Sequence, residues 1–297
     1  MADIITLTAI TKIYKNFTAV NGVNLQIREG EILGLIGHNG AGKTTTLKMM
    51  VGLLAPTSGT IAVMGRDITR ENTRVKQHIG YLPEESPLYE NMTVQQYLEF
   101  FAELYKIPKK TARKRIDELL DSLKLEERDK YTGDLSKGMR RKVAIARTLL
   151  HEPSILVLDE PNSGLDPLTS FFIIDYLKKL NQQGKTIVLS AHNLFHIEYI
   201  CHRVAIMKSG EIYICDTIEA IREKLGSREY EVVFRADARL DYPRQGDNYV
   251  FTTADVGRIA SLLHDISENN WALIDLSVRQ SALEDMYVKL MDDDTAL

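Results

Sequence analysis

A glycine-rich segment near the start of the chain has the residue types and spacing of a phosphate-binding loop. It lies between an apolar run and a helix-forming stretch and consists of Gly37, His38, Asn39, Gly40, Ala41, Gly42, Lys43, Thr44 and Thr45. Glycines let successive backbone N–H groups turn toward one anion, and the following helix directs its positive end to the same place. Lys43 would add a charge at the β- and γ-phosphates, and the Thr44 hydroxyl would bind Mg²⁺. The segment therefore predicts nucleotide binding, but motors, switches, kinases and pumps all use such loops.

Two adjacent carboxylates follow a second apolar run. Residues 155–158 have the composition of a buried parallel strand, and Asp159 and Glu160 come directly after it, where such a strand opens into a ligand crevice. Asp159 would hold Mg²⁺ directly or through water. Glu160 would orient and polarise an attacking water. Alone this pattern could also be a helix N-terminus, but together with Lys43 it indicates hydrolysis of the nucleotide.

The pentapeptide from Leu135 to Met139 precedes a helical pattern at 140–150. Here the chain resembles the ATPase subunit of an ABC transporter, whose signature is Leu-Ser-Gly-Gly-Gln. The sequence keeps Ser136 and Gly138 and departs from the signature at Lys137 and Met139. The resemblance implies that Ser136 and Gly138 form a second anion site, which closes over the γ-phosphate held by the other subunit. By itself the pentapeptide could simply cap a helix.

Two further positions extend the resemblance. Asp166 ends the segment 163–166, which matches the family's loop between the two nucleotide sites of a dimer. Because Pro167 follows, Asp166 also fits a helix cap, and both roles can hold together. His192 follows the apolar strand 186–189, and the resemblance implies that it contacts the γ-phosphate and positions the water.

Tyr14 and Glu84 complete the predicted site. Tyr14 matches the family's adenine-stacking aromatic, although an ordinary strand aromatic would look the same. Glu84 stands where most of the family carries a glutamine that senses Mg²⁺ and links the site to the membrane subunit. A carboxylate is still an oxygen ligand for a hard cation, yet here it adds negative charge beside Asp159 and Glu160.

The charge and residue composition limit the classes of partner and ligand that the protein is expected to bind. The formal net charge of −4 argues against binding driven by nucleic-acid phosphates, so no nucleic-acid partner is expected. The basic clusters at 109–115 and 140–142 are predicted to be solvated helix faces. Cys201 and Cys215 lack metal or redox spacing, which suits a reducing compartment. His192 and His196 have a helical spacing that zinc sites use, but the glutamate of a zinc protease motif is absent.

The sequence predicts no membrane span, because no segment approaches the roughly twenty apolar residues that one requires. The first residues also lack a basic and hydrophobic signal. We therefore expect a cytoplasmic protein, peripheral on the cytoplasmic face of the cell membrane, with any translocation path on another polypeptide.

The element pattern predicts an α/β fold: a P-loop NTPase core of the ABC ATPase type with an antiparallel β edge and a helical subdomain at about 93–150. This domain would span residues 1–225. Residues 226–297 would form a small C-terminal α+β domain whose last helix opens with a capping box from Ser281 to Glu284. This tail, together with the variants at Glu84 and in the signature, resembles ATPases of the ABC-2 type exporter group.

The resemblance implies an ATP-binding and ATP-hydrolysing subunit that uses Mg²⁺ and dimerises head to tail. Its partners would be a second copy or a homologous ATPase subunit, and a multispanning membrane permease subunit. Export is favoured over import, and the cargo stays open. The alternative is an ABC ATPase that moves no substrate. A translation-associated one would normally carry two cassettes, and a DNA-associated one would need a long coiled-coil insertion; the sequence has neither.

Overall fold

The computed structural model describes residues 3–226, 228–237 and 240–292. The chain divides into two compact units, Met1–Thr217 and Ile218–Leu297. The division therefore falls before the helix Ile218–Leu225, ahead of the expected boundary after residue 225. The physical reason is that this helix packs against the last helix of the second unit.

The first unit contains ten strands among its described residues. In chain order they are β1 (Asp3–Tyr14), β2 (Phe17–Arg28), β3 (Ile32–Ile36), β4 (Ser58–Val63), β5 (Arg66–Asp67), β6 (Ile79–Leu82), β7 (Ile155–Leu158), β8 (Thr186–Ser190), β9 (Arg203–Lys208) and β10 (Glu211–Thr217). Its helices are α1 (Lys43–Met50), α2 (Asn72–Lys76), α3 (Val94–Leu104), α4 (Lys109–Ser122), α5 (Lys137–Leu149), α6 (Pro167–Gln182) and α7 (Leu194–Ile200).

A six-stranded sheet in the order β10-β9-β3-β8-β7-β6 forms the centre of this unit. Five of its strands are parallel, and only β10 runs antiparallel to its neighbour. Every residue of β3, β7 and β8 is buried, as expected for parallel strands covered on both faces. The carboxyl ends of these strands lie at one edge of the sheet. That edge receives the glycine-rich loop, the Asp159–Glu160 pair and His192.

A second, antiparallel sheet has the order β2-β1-β4-β5 and confirms the predicted β edge. It packs its apolar side chains into the same core as β3 and α1. Tyr14 and Phe17 pair across the tight turn between β1 and β2. This turn therefore places two aromatic residues side by side at the end of the hairpin.

The helical region contains α3, α4 and α5, which pack against one another. Thr93 and Gln96 form a capping box at the start of α3, and Ser136 caps α5. The α/β fold class predicted from the sequence is confirmed. No helix in the described part of the chain is long and apolar enough to cross a membrane.

The second unit is a small α+β body. Its elements are α8 (Ile218–Leu225), β11 (Arg228–Arg235), β12 (Arg244–Gln245), β13 (Asn248–Thr253), α9 (Val256–Glu268), β14 (Ala272–Gln280) and α10 (Leu283–Asp292). The four strands form an antiparallel sheet in the order β12-β13-β11-β14, and α9 packs on it over Phe234 and Tyr249. The helix α10 begins at Leu283, and Asp285 accepts a hydrogen bond from the Ala282 amide (2.9 Å). The capping box from Ser281 to Glu284 stays a prediction.

Candidate functional site

A cleft of about 250 Å³ lies where the glycine-rich loop, β7, β8 and the β1–β2 turn meet. Its lining consists of Tyr14, Phe17, Ala19, Asn39, Gly40, Gly42, Lys43, Thr44, Thr45, Glu84, Glu160 and His192. A larger groove of about 630 Å³ lies along α4 and α6, but its described lining contains none of the predicted site residues. Chemistry rather than size therefore identifies the smaller cleft as the candidate site.

The backbone of the glycine-rich loop requires glycine at two close approaches. Gly42 has φ +102°, and a Cβ atom there would lie 2.6 Å from the carbonyl oxygen of Ala19. A Cβ atom on Gly37 would lie against the carbonyl of Met207. Gly42 directly precedes α1 and has no side chain with which to cap it. The amides of the first turn are thus available to an anion in the cleft.

Lys43 is buried and folds back over its own loop. Its Nζ donates to the carbonyl oxygens of Gly37 (2.7 Å) and His38 (3.2 Å). Burial lowers the pKa of Lys43, and the nearby carboxylates of Glu160, Asp159 and Glu84 oppose this shift. The ammonium group is therefore fixed in front of the cleft and keeps few water contacts, which strengthens its attraction for a phosphate.

Ser190 contacts both residues that follow β7, the side chain of Asp159 and the backbone of Glu160. Its hydroxyl donates to Oδ1 of Asp159 (2.6 Å) and accepts from the Glu160 amide (3.0 Å). Glu160 itself has φ +48°, in the left-handed region that non-glycine residues seldom adopt. Such backbone strain persists when surrounding contacts impose it, and it is common at functional sites. Ser190 was not among the predicted site residues, although a hydroxyl at a strand end was a usable signal.

The Glu160 carboxylate has the environment of a proton acceptor. Burial raises its pKa, and Asp159 and Glu84 raise it further, whereas His192 and Lys43 lower it. His192 Nε2 lies 3.1 Å from Glu160 Oε1, but this oxygen has no hydrogen bond of good geometry. One buried carboxylate oxygen is thus left for a donor such as water. A carboxyl with a raised pKa is also a stronger base.

The predicted magnesium ligands are all oxygen donors. Thr44 and Glu84 line the cleft, and Asp159 is buried, with Ser190 on one of its oxygens. The described residues contain no group of three or more His, Cys, Asp or Glu that could hold a metal by themselves. This donor set fits Mg²⁺, which usually takes one or two protein ligands and completes its shell with water and phosphate oxygens.

Seven predicted residues lie outside the lining of the cleft, as far as the described residues define it. Four of them belong to the loops that form it, namely Gly37, His38, Ala41 and Asp159, and the other three lie at the starts of α5 and α6. Ser136 caps α5 by accepting from the Met139 amide (3.2 Å). Asp166 caps α6 by accepting from the Thr169 amide (2.9 Å), and this bond lowers the pKa of Asp166. A Cβ atom on Gly138 would touch the Thr169 side chain. The capping roles are thus observed, and the role toward a second subunit stays a prediction.

Sequence reasoning missed a second aromatic residue, Phe17, which lines the cleft beside Tyr14. It also placed Arg141 on a solvated basic face, which is wrong. Arg141 is buried and donates hydrogen bonds to backbone carbonyls on two loops of the site. Its signal was the period of α5, which turns this position toward the core. His196 is buried as well, with Nδ1 2.6 Å from the side-chain nitrogen of Asn162.

Comparison with known proteins identifies the family. Residues 20–163 match the family model described as ABC transporter. The chain is 31% identical over 293 residues to the uncharacterized ABC transporter ATP-binding protein YhaQ of Bacillus subtilis, covering 96% of this chain and 97% of the relative. It is 44% identical over 218 residues to the methionine import ATP-binding protein MetN of Geobacillus kaustophilus, covering 70% of this chain and 64% of MetN. It is 37% identical over 218 residues to the linearmycin resistance ATP-binding protein LnrL of B. subtilis, covering 73% and 70%.

Solved structures give the same result. The ATP-binding cassette MJ0796, described as a dimer in a post-hydrolysis state bound to ADP and Pi, is 30% identical and superposes with a TM-score of 0.67 over 72% of this chain and 98% of the cassette. The cbiO1 protein of Clostridium perfringens, described as part of the ABC transporter complex cbiONQ, is 29% identical with a TM-score of 0.67, covering 76% of this chain and 95% of cbiO1. The chain belongs to the family of ABC transporter ATP-binding proteins and is an ATPase of that family.

Proposed function

We propose that this ATPase binds ATP with Mg²⁺ in the cleft, hydrolyses it through Glu160 and so drives a separate membrane subunit. The observation that carries the proposal is the Glu160 carboxylate, buried within 3.1 Å of His192 and interacting electrostatically with Lys43. A base, an orienting imidazole and a phosphate-binding cation thus meet in one cleft. This combination serves phosphoryl transfer to water.

Each part of the cleft has a role in this proposal. The Tyr14 ring, with Phe17 beside it, stacks on the adenine, and the amides of residues 37–45 hold the phosphates. Thr44, Glu84 and Asp159 would hold Mg²⁺, which supplies charge neutralisation of the phosphate oxygens. Glu160 accepts a proton from the attacking water, and His192 orients that water against the γ-phosphate.

We further propose that two such chains, or this chain and a homologous subunit, close head to tail over the nucleotides. Ser136, Gly138 and Asp166 lie outside the lining of their own cleft, at the starts of α5 and α6. Helix N-termini attract phosphate, so these residues suit the γ-phosphate held by a partner. The solved cassette MJ0796 is described as dimeric. Because the nucleotide contacts both chains, binding favours the closed pair, and hydrolysis removes that preference.

Transport is the use of ATP that the relatives support, since YhaQ is named an ABC transporter ATP-binding protein and MetN a methionine import ATP-binding protein. Their names include both methionine import and linearmycin resistance, so they leave the direction open. Export is our proposal from Glu84 and the C-terminal unit, and a peripheral position on the cytoplasmic face of the membrane follows from a separate membrane subunit. No specific observation favours a translation- or DNA-associated ATPase.

The test is the Glu160→Gln variant, in which the base is lost but size and burial are kept. We expect turnover to fall at least a hundredfold, as is typical for loss of a general base, while ATP binding persists. Because closure no longer ends in hydrolysis, dimers should accumulate with ATP and Mg²⁺. Light scattering after size-exclusion chromatography measures the dimer, and phosphate release measures turnover.

The matched control is Glu29→Gln, which changes an exposed carboxylate at the opposite end of the parallel strands. This variant should hydrolyse ATP like the unmodified protein and should not accumulate dimers. Undiminished hydrolysis by Glu160→Gln would remove Glu160 from the role of base. Loss of turnover without ATP-dependent dimers would agree with Glu160 as the base but contradict the head-to-tail closure.

A further inference from the structure

Arg141 lies on α5 and uses its whole guanidinium group to bind backbone. An arginine side chain has five N–H donors in a planar fork. Nε donates to one carbonyl, and Nη1 and Nη2 donate to two each. The acceptors are the oxygens of Pro161 (2.7 Å), Pro83 (2.9 Å), Glu84 (2.9 Å), Asp159 (3.1 Å) and Glu160 (2.6 Å). Each of the five donors therefore has an acceptor of its own.

These carbonyls belong to the two loops that present the carboxylates of the site. Pro83 and Glu84 follow β6, whereas Asp159, Glu160 and Pro161 follow β7. The bonds join the two loops to the helix that begins at the signature segment. A long side chain on one helix thus holds two neighbouring strand ends at a fixed separation.

The turn at Glu160 needs such support. Its φ of +48° is unfavourable for a residue with a side chain, and in this conformation the Glu160 side chain lines the cleft. Arg141 binds the carbonyls on both sides of this residue as well as its own. Ser190 binds the Glu160 amide from the opposite side. The backbone of Glu160 is therefore fixed at both its N–H and its C=O.

The charge of Arg141 also fits its place. The guanidinium is buried, which lowers its pKa to about 10, so it stays protonated at neutral pH. The carboxylates of Asp159, Glu84 and Glu160 favour its charged form. A buried cation among three carboxylates lowers the electrostatic cost of bringing those carboxylates together.

We infer that Arg141 is a positioning residue for ATP hydrolysis: it joins the Glu84 loop to the Glu160 turn and holds the Glu160 carboxylate in its working orientation. The inference rests on the proposed role of Glu160 as the base. Lysine cannot replace Arg141, because an ammonium has three donors that diverge from one atom and cannot reach five carbonyls. Arg141 touches neither nucleotide nor water in this role, so its effect is on turnover rather than on ATP affinity.

The experiment compares Arg141→Lys and Arg141→Gln in ATP hydrolysis, with kcat expressed per ATP-binding site. Both should lower kcat about tenfold or more and leave KM for ATP within about twofold, because the phosphate loop is unchanged. The comparison of kcat with KM separates positioning from binding, because the hydrogen bonds of Arg141 go to the Glu84 loop and the Glu160 turn and not to the phosphate loop.

Arg141→Lys keeps the charge but can reach at most three of the five carbonyls, whereas Arg141→Gln loses the charge as well. Both should therefore lose turnover if the hydrogen bonds to the two loops carry the effect. Arg113→Gln, at an exposed position on α4, is the matched control and should change nothing. A role confined to folding would lower the number of ATP-binding sites in the sample and leave the rate per ATP-binding site unchanged.

Combination with Glu160→Gln distinguishes failure of the inference from failure of the proposed function. If Arg141 acts through Glu160, adding Arg141→Lys to Glu160→Gln should cause no further loss of the residual rate. Full activity of Arg141→Lys beside an inactive Glu160→Gln would overturn the positioning role alone. Full activity of Glu160→Gln would overturn the proposed base and the inference with it. Loss of ATP binding or aggregation in both Arg141 variants would also overturn the inference.

Discussion

Lys43 and Glu160 are two buried groups of opposite charge on the same cleft. Burial shifts the pKa of each toward its neutral form, downward for Lys43 and upward for Glu160. Each charge partly offsets the cost of burying the other. At the residue scale, the site therefore keeps its working charges at a cost to the folded state, which is a common arrangement at catalytic sites.

This cost predicts that Glu160→Gln stabilises the nucleotide-free protein at neutral pH. The folded protein binds a proton at Glu160 more tightly than the unfolded chain, so the free energy of unfolding falls as pH rises through the window above the usual carboxyl pKa. Above that window the ionised side chain carries the full cost, and glutamine does not. Each kcal/mol that the substitution adds to the free energy of unfolding should raise Tm by roughly 2–4 °C in a domain of this size.

Thermal denaturation at pH 7.5 and at pH 5 measures the effect. The gain in Tm should shrink at the lower pH, because the raised pKa means that a larger fraction of Glu160 is protonated there in the unmodified protein. Glu29→Gln should leave Tm unchanged at both values, because that carboxylate is exposed. An equal or lower Tm for Glu160→Gln at pH 7.5 would mean that burial of the charge is not costly.

At the scale of elements, the start of α1 depends on the turn at Gly42. Its φ of +102° and the carbonyl of Ala19 at 2.6 Å from a would-be Cβ both exclude a side chain. Gly184, in the turn between α6 and β8, has a similar φ of +95° but no heavy atom within 4 Å of a would-be Cβ. Substitutions at these two glycines therefore distinguish the stability lost through an unfavourable backbone conformation from the stability lost through a steric clash.

We expect Gly184→Ala to lower the free energy of unfolding by about 1–2 kcal/mol, the conformational cost alone. Gly42→Ala should lower it further, because the loop must also move away from β2. Only Gly42→Ala should weaken ATP binding, since that movement misaligns the amides at the start of α1. Denaturant unfolding and equilibrium ATP binding measure the two effects. Equal losses in stability with unchanged ATP affinity would contradict a role for close packing in the phosphate loop.

At the scale of the whole molecule, the proposed function requires a surface through which ATP hydrolysis in the cleft can act on the membrane subunit. We propose a docking surface for the membrane subunit on α3 and the segment before it, formed by Tyr89, Phe100, Leu104 and Tyr105. These side chains are exposed, with Tyr89 and Phe100 rings 5.8 Å apart, and Glu84 and Glu85 lie on the same loop as Tyr89. An apolar patch beside acidic residues suits a partner segment with apolar and basic side chains.

Phe100→Glu should therefore reduce recovery of a multispanning subunit from native membranes severalfold, with Glu160→Gln as the bait background and ATP and Mg²⁺ present. A charge on a formerly apolar contact must be desolvated when the partner binds. Tyr213→Glu, at an aromatic on β10 that is more exposed than Phe100 (61% against 40%), is the control and should not change recovery. Equal recovery by both variants would exclude this surface, and recovery of ribosomes or nucleic acid instead would contradict transport.

The sequence by itself determined the family, the fold class and the motifs on which the proposed chemistry depends. The phosphate loop, the Asp159–Glu160 pair and the strand before His192 depend on short-range patterns, because apolar runs and glycine spacing fix the local backbone. The order of these patterns also determined that parallel strands would bring them to one edge. The predicted domain boundary was less exact, since α8 packs with α10, and that contact joins distant parts of the chain.

Only the tertiary structure decided how the carboxylates are held. The Arg141 hydrogen bonds connect residues far apart in sequence, so its charged side chain resembled a solvated one until its position on α5 was known. Phe17 lies beside Tyr14 in the cleft because the two residues pair across the β1–β2 turn. Ser190 lies beside Asp159 and Glu160 because its strand, β8, pairs with β7. Burial, and hence every pKa shift in the site, depends on what packs around a residue. Those neighbours come from distant parts of the chain, so the local sequence does not identify them and only the fold does.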